Sequence, residues 1–341
     1  MRREATVAGE GRKVRTIEVA AQAGISQSTV SRALAGDPRI SQATKDRVLE
    51  AAERLGYRPN LIARGLKNRT TGIVGVVVTD LDSPYHAHAL RLLIDEMGVQ
   101  GLAPLVFSCN AAERAGAVIG RLAGYQVDAV IALAAPFDTE IVKSCRGMGR
   151  PLVLMNDHEG EAALGIVAGD GHRGGALIAA HLVECGARSF GFFAGEDSTR
   201  ISQEREDGFR AGLRALGFAC TRRAAASYDY AAAAAAAEAL LQDPPDAVFC
   251  ANDTLAQALV DTARLRFGMR MPQDLLVAGY DNSALASRPV YGLTSVDQGL
   301  EEMAARAVAM VIQMLAAPQA PPPRVVVPPR LVIRNSTRAS D

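Results

Sequence analysis

Three things are scarce in this sequence of 341 residues: long apolar runs, paired cysteines and recognisable catalytic motifs. The longest apolar stretches, such as Gly72–Val78 and Ala129–Ala135, have strand length and fall far short of a membrane span. Met1–Lys13 is polar and basic, without the apolar segment of a secretory signal, so no membrane partner and a cytoplasmic setting are expected. The five cysteines are scattered at 109, 145, 185, 220 and 250, none at C-x-x-C spacing, which argues against a zinc knuckle or a redox pair. His86 and His88 form the one close histidine pair, yet no carboxylate or cysteine cluster completes a metal site. No cofactor is expected. Neither a G-x-S-x-G elbow nor a Walker loop stands in a fitting context. The glycine-rich stretch 169–175 lacks the Lys-Ser/Thr ending of a phosphate loop and reads as a crossover opening a helix. Enzymatic activity is therefore not expected.

What is present is ample core material, with 49% hydrophobic and 22% charged residues, in a chain too long for one compact core. A net charge of zero hides an asymmetry. Residues 1–69 hold 14 Lys and Arg against 7 Asp and Glu, and the remainder reverses this with 23 against 30. A basic module on an acidic body fits a nucleic-acid reader, because cationic side chains release counterions from phosphate.

Residues 1–13 lack periodicity and read as a disordered arm. Three short helical patterns follow. Thr16 is the candidate cap of the first, whose apolar face holds Ile17, Val19, Ala20 and Ala23, and Gly24 stops it. Ser26 caps a second over 27–35, with Val30, Ala33 and Leu34 inward. Ser41 caps a third, with Val48, Leu49, Ala52 and Leu55 at helical spacing and Gly56 at its end. Two helices joined by a glycine turn in a basic module match the helix-turn-helix template. From Thr71 onward the pattern becomes βαβ-like: candidate strands 73–79, 104–108, 129–133, 152–155, 190–194, 247–250 and 276–280 alternate mostly with Ala/Leu-rich helical stretches. The alanine run at 231–237 reads as a helix, and the proline-rich 318–323 as a connection to a closing strand.

The run from Thr16 to Leu34, followed by Val48-Leu49-Glu50-Ala51-Ala52 and Leu55-Gly56-Tyr57-Arg58-Pro59-Asn60, closely resembles the DNA-binding headpiece of the lactose-repressor (LacI/GalR) family. The resemblance continues through Pro84-Tyr85, Asp170…Gly174-Gly175, Ala251-Asn252-Asp253, Gly279-Tyr280-Asp281 and Pro329-Arg330-Leu331-Val332. It implies an α/β protein with an N-terminal all-α helix-turn-helix headpiece and a two-lobed periplasmic-binding-protein-like α/β sensor. The implied layout is a headpiece at 14–59, a hinge helix and linker at 60–70, and a ligand-binding domain at 71–341. Its N-lobe would take 71–168 and 297–326, and its C-lobe 169–296 and 327–341.

By the same resemblance, Gln27 and Ser28 occupy the base-reading positions, and Arg32 reaches for guanine. Thr29 and Ser31 suit phosphate, and Thr16 joins the DNA-contact set. Asn60, Ala63, Leu66 and Lys67 belong to the hinge, with Leu66 as a minor-groove wedge. The implied effector residues are Tyr85, Asn156, Arg205, Tyr228, Asn252 and Asp281. An Arg–Asp pair suits vicinal hydroxyls or ring nitrogens, Tyr228 a flat ligand face, and Asn252 a two-way amide. Asn156 stands where some relatives carry an acid.

The function implied is a transcriptional regulator, a repressor in type, whose hold on operator DNA responds to a small sugar-like effector. The chain would act as a homodimer on a pseudo-palindromic double-stranded site, since no heptad tail follows Arg334. The alternative from another class is a solute-binding protein of a transport system, which would share the two-lobed fold.

Overall fold

The computed structural model describes residues 14–34, 37–57, 70–78, 80–108, 120–122, 124–133, 143, 145, 147–155, 164–195 and 200–338. The chain divides into two compact units, Met1–Thr71 and Gly72–Asp341. The expected arm, the hinge residues Asn60, Ala63, Leu66 and Lys67, and Asn156 lie outside the described residues.

The first unit holds α1 (Thr16–Ala23), α2 (Gln27–Leu34) and α3 (Gln42–Leu55). Glycine punctuates it where the backbone turns left-handed: Gly24 has φ 64° and Gly56 has φ 65°, each closing a helix. Ser26 and Ser41 accept hydrogen bonds from the backbone N–H groups of Thr29 and Thr44, capping α2 and α3 as expected. The core is built from small side chains. Val19, Val30 and Val48 are fully buried, with Ala20, Ala23, Ala33, Ala51 and Ala52 around them, so three short helices pack closely.

Two expectations fail here. Arg15, not Thr16, stands at the α1 cap position, with no side-chain cap bond, and the Thr16 hydroxyl instead pairs with the Tyr57 hydroxyl at 2.8 Å. Ile17 and Leu49 do not point inward; they are 58% and 56% exposed. Residues one or two apart on a helix do not share a face, and Val19 and Val48 take the inward positions.

Along the second unit the elements are β1 (Ile73–Val78), α4 (Pro84–Val99), β2 (Ala103–Ser108), β3 (Ala129–Leu133), β4 (Leu152–Met155) and β5 (Gly165–Gly169). Then come α5 (Gly171–Glu184), β6 (Phe190–Ala194), α6 (Arg200–Ala215), β7 (Cys220–Ala225), α7 (Tyr230–Leu240), β8 (Ala247–Cys250) and α8 (Asp253–Phe267). The chain closes with β9 (Leu276–Tyr280), β10 (Thr294–Asp297), α9 (Leu300–Ala316), β11 (Arg324–Val327) and β12 (Arg330–Val332). Strands form two six-stranded sheets, ordered β11-β5-β4-β3-β1-β2 and β12-β10-β9-β8-β6-β7. All pairings are parallel except β10 with β12. Central strands buried on both faces read as continuous apolar runs, the pattern of parallel sheets covered by helices.

The chain passes between the sheets three times: from β5 into α5, from β10 into α9, and from β11 into β12. The two cores differ. Around the second sheet Phe190, Phe192, Phe193, Phe209, Phe249 and Tyr280 are buried together. Around the first, Val, Ile, Leu and Met dominate, with Met97, Met155, Met303 and Met310 buried.

Candidate nucleic-acid interface and effector cleft

The recognition-helix residues divide by face. Val30 and Ala33 turn inward, which leaves Gln27, Ser28, Ser31 and Arg32 exposed and Thr29 half-buried. The α2 N-terminus is tightened by hydroxyl pairing: Ser26 Oγ lies 2.9 Å from Ser28 Oγ and 2.8 Å from Thr29 Oγ1. The exposed stripe is therefore an amide, two hydroxyls and a guanidinium on a short helix, a set able to meet base edges and phosphates. Arg32 also faces Asp37, whose carboxyl the neighbouring Arg39 holds well below the usual range, through hydrogen bonds first and charge after them.

In the second unit the candidate effector residues follow strand ends. Tyr85 comes after β1, Arg205 after β6, Tyr228 after β7, Asn252 after β8 and Asp281 after β9. In open α/β sheets the carboxyl ends of strands border the ligand crevice.

Arg205 is the hub. It sits on α6, 4% exposed, and glycines let the helix come close: a Cβ on Gly175 of α5 would lie 2.2 Å from the Arg205 carbonyl. Its Nη1 donates to the Ala251 carbonyl at 2.5 Å, and Nη2 lies 3.4 Å from Asp281 Oδ1. The guanidinium carbon stands 3.7 Å above the Tyr280 ring centroid, a cation–π contact. Tyr228 packs its ring end against Gly195, where a Cβ would be 2.2 Å from the ring.

Asp281 has φ 100°, an uncommon conformation for a side chain other than glycine, and Asn282 follows with φ 48°. Gln298 Nε2 donates to Asp281 Oδ1 at 2.7 Å. Burial raises the Asp281 carboxyl to about 7, with Arg205 opposing and Asp253 reinforcing the rise. Asp253 is raised to about 6 by burial, against hydrogen bonds from the Ser295 hydroxyl and the Ser283 N–H. The phenol of Tyr85 is pushed up by burial and by the negative charge of Asp281, so the residue after β1 faces the same cluster as those after β6 and β9.

Among the described residues the buried side-chain polar atoms without a hydrogen-bond partner are Tyr85 Oη, Arg205 Nε and Tyr280 Oη. All three belong to this one cluster. Buried polar groups are normally satisfied, and a concentration of unsatisfied ones marks where a polar ligand would fit.

Asn252 also serves its own helix. Its Oδ1 accepts the Leu255 N–H at 2.9 Å and caps α8, so the amide oxygen is already engaged by its own helix. Sequence reasoning named neither Gln298 nor Tyr280 as a site residue. Tyr280 lies within the Gly279-Tyr280-Asp281 run, whereas Gln298 belongs to no motif. No group of three or more metal-type ligands occurs among the described residues, and no described helix is long and apolar enough to cross a membrane.

Comparison with known proteins bears on the family and the fold. Residues 17–60 match the model of bacterial regulatory proteins of the lacI family, and residues 179–337 match a periplasmic binding protein-like domain. CelR, an HTH-type transcriptional regulator of Thermobifida fusca, is 32% identical over 342 residues, covering 96% of this chain and 99% of its own. Catabolite control protein A of Staphylococcus aureus is 27% identical over 324 residues, covering 94% and 98%. The structure of a CelR–cellobiose complex superposes with a TM-score of 0.72 at 28% identity, over 95% of this chain and 99% of that one. The lac repressor dimer bound to operator and the anti-inducer ONPF reaches 0.84 at 21% identity, over 96% and 100%, which speaks for the fold. The headpiece match removes the ground for a transport-linked solute-binding protein. Sharing a third of its residues with CelR over nearly its whole length, and the family's helix-turn-helix at its start, the chain belongs to the lacI family of bacterial regulatory proteins and is a DNA-binding transcriptional regulator.

Proposed function

We propose that this regulator is a repressor switched by a neutral polyhydroxylated ligand, a sugar in the first instance, and that it acts by binding and not by catalysis. The observation that carries the reading is the cluster of Tyr85 Oη, Arg205 Nε and Tyr280 Oη, three buried polar atoms without partners around an Arg–Asp pair. Vicinal hydroxyls donate to a carboxylate and accept from a guanidinium, which suits Asp281 and Arg205. Because Asp281, once ionised above about pH 7, balances the charge of Arg205, an uncharged ligand fits better than an anion. Tyr228 offers a flat face to a sugar ring, and the Asn252 NH2, whose oxygen partner is held by the α8 cap, is a further donor.

DNA contact falls to Gln27, Ser28 and Arg32 on base edges, and to Thr16, Thr29 and Ser31 on phosphates. Asn60, Ala63, Leu66 and Lys67 carry the hinge in this reading, with Leu66 as the wedge. The working form is a homodimer in the cytoplasm, two headpieces taking the halves of a pseudo-palindromic operator. The relative caught as a dimer on operator supports that arrangement. Ligand in the cleft then shifts operator affinity only as far as it discriminates between the two lobe arrangements.

A thermal-shift panel of sugars, sugar acids and purines, opened with cellobiose because the CelR complex contains it, tests the proposal. A true effector raises the melting temperature by mass action and changes operator affinity measured by fluorescence anisotropy. Hits confined to anionic compounds, or hits that leave operator affinity unchanged, would overturn it.

A further inference from the structure

We propose that Gln298 is a positioning residue that ties the cleft carboxylate of Asp281 to the crossovers between the two sheets. It deepens the ligand-switch reading by naming the joint through which cleft occupancy reaches the rest of the fold.

Gln298 lies between β10 and α9, on the second passage from one sheet to the other, and is 2% exposed. Its amide points in two directions. Nε2 donates to Asp281 Oδ1 at 2.7 Å, shorter than the 3.4 Å approach of Arg205 Nη2 to the same oxygen. Oε1 and Cβ press on the first passage: a Cβ built on Gly169 would stand 3.1 Å from Oε1 and 3.2 Å from Cβ. Only glycine leaves room there without moving the glutamine.

The flanking residues bring in the third passage. Asp297 accepts the Gly299 N–H at 2.8 Å and pairs with Arg330 of β12 at 2.8 Å. Gly299 has φ 73°, and a Cβ there would lie 2.7 Å from Val327 at the end of β11. The Asp170 N–H, at the start of the first passage, bonds the Val327 carbonyl at 3.2 Å. All three passages thus meet around residues 297–299, and one side chain of that junction reaches into the cleft.

Competition follows from the shared oxygen. A ligand hydroxyl that donates to Asp281 Oδ1 competes with Gln298 for the same lone pairs, and releases the amide from its tether. A buried hydrogen bond to a charged group is worth enough for its loss to be felt at the junction. The signal is local by construction, because Gln298 touches the cleft at one end and the crossover backbone at the other.

Amide hydrogen exchange on the unliganded full chain tests the coupling without any effector, so failure of the sugar reading would not be mistaken for failure of this one. Gln298→Leu keeps the bulk and removes the donor. Gln298→Glu sets a second carboxylate against Asp281. Each is expected to speed exchange by about tenfold or more at Asp170 and Gly299, while amides of β6 and β8 stay protected. The decisive arm is the polarity swap, Gln298→Glu with Asp281→Asn, in which the asparagine amide donates to the new carboxylate. Asparagine tolerates positive φ, so position 281 keeps its backbone. Protection at the crossovers should return towards wild type in the swap. If Gln298→Leu leaves the crossovers as protected as wild type, or if the swap is no better than Gln298→Glu alone, the tether does not exist.

Discussion

The two sheets of the second unit share an order and a connectivity, yet they are packed with different materials. Aromatic rings run through the second layer: Phe209 and Phe249 meet edge to face at 5.2 Å, and Phe249 stands 6.4 Å from Tyr280, which in turn lies under Arg205. In the first layer the described core is aliphatic and methionine-rich, and it delivers Tyr85 to the cluster. Rings of fixed shape hold a charged group in place, whereas methionine adapts to its neighbours. On this contrast the second layer is expected to behave as the stiffer platform bearing the Arg–Asp pair, and the first as the more adaptable cover facing it.

Truncating the ring between core and cleft strikes that comparison hardest. Phe249→Ala should cost roughly 3–5 kcal/mol in chemical unfolding and weaken binding of the effector sugar, since Tyr280 loses its support. Leu133→Ala, in the first sheet, should cost roughly 2–5 kcal/mol and leave sugar affinity nearly intact. Equal losses of affinity in calorimetry would dissolve the distinction between platform and cover. Arg205→Ala comes next. It strands the buried Asp281 carboxyl, so about 3 kcal/mol of stability is expected to go, together with all measurable effector binding. The headpiece gives the contrasting case of proposed DNA-contact residues left outside the core. Gln27→Ala and Arg32→Ala should each weaken operator binding by about 1–3 kcal/mol while the unfolding curve stays in place. If both variants bind operator like wild type, α2 is not the reading helix.

The smallest effect is one of pH. Hydroxyl donors need Asp281 ionised, and in the free protein it sits at about 7, so sugar affinity should fall as pH drops below that value, approaching tenfold per unit. Stability moves the other way. A carboxyl raised from 3.8 to about 7 holds its proton better in the folded chain, so its contribution is full below about pH 4 and is lost as pH rises through 7. A sugar affinity that stays flat between pH 5.5 and 8 would remove Asp281 from ligand contact.

Much of this architecture was legible in the residues. Strands β3, β4, β6, β8 and β9 were bounded correctly, because an uninterrupted apolar run of four or five residues between turn signals suits a strand buried on both faces and is too short for a helix. The strands that escaped, β5, β7, β10 and the three-residue β12, are of another kind. β5 opens and closes on glycine, β7 is an arginine-bearing edge strand, and β10 is a short run of Thr, Ser, Val and Asp. Their pairing is decided by neighbours in the sheet and not by propensity. In the headpiece the glycine stops and serine caps were readable, whereas Ile17 and Leu49 were not, since hydrophobic character alone does not fix which side of a short helix is covered. Arg205 and Asp281 were named from family resemblance, and the structure brings them to 3.4 Å. Gln298 was invisible because its role depends on Gly169, more than a hundred residues earlier in the chain.

The interleaving of the sheets also bears on how the chain is made. β11 completes the first sheet by pairing with β5, and between them lie all of β6 to β10. During synthesis the opening lobe therefore waits, one edge unfilled, until its partner has emerged. Native contacts of such long sequence separation form slowly, and an open edge is a template for the wrong neighbour. Demand for chaperones should accordingly concentrate in the interval between the emergence of β5 and that of β11.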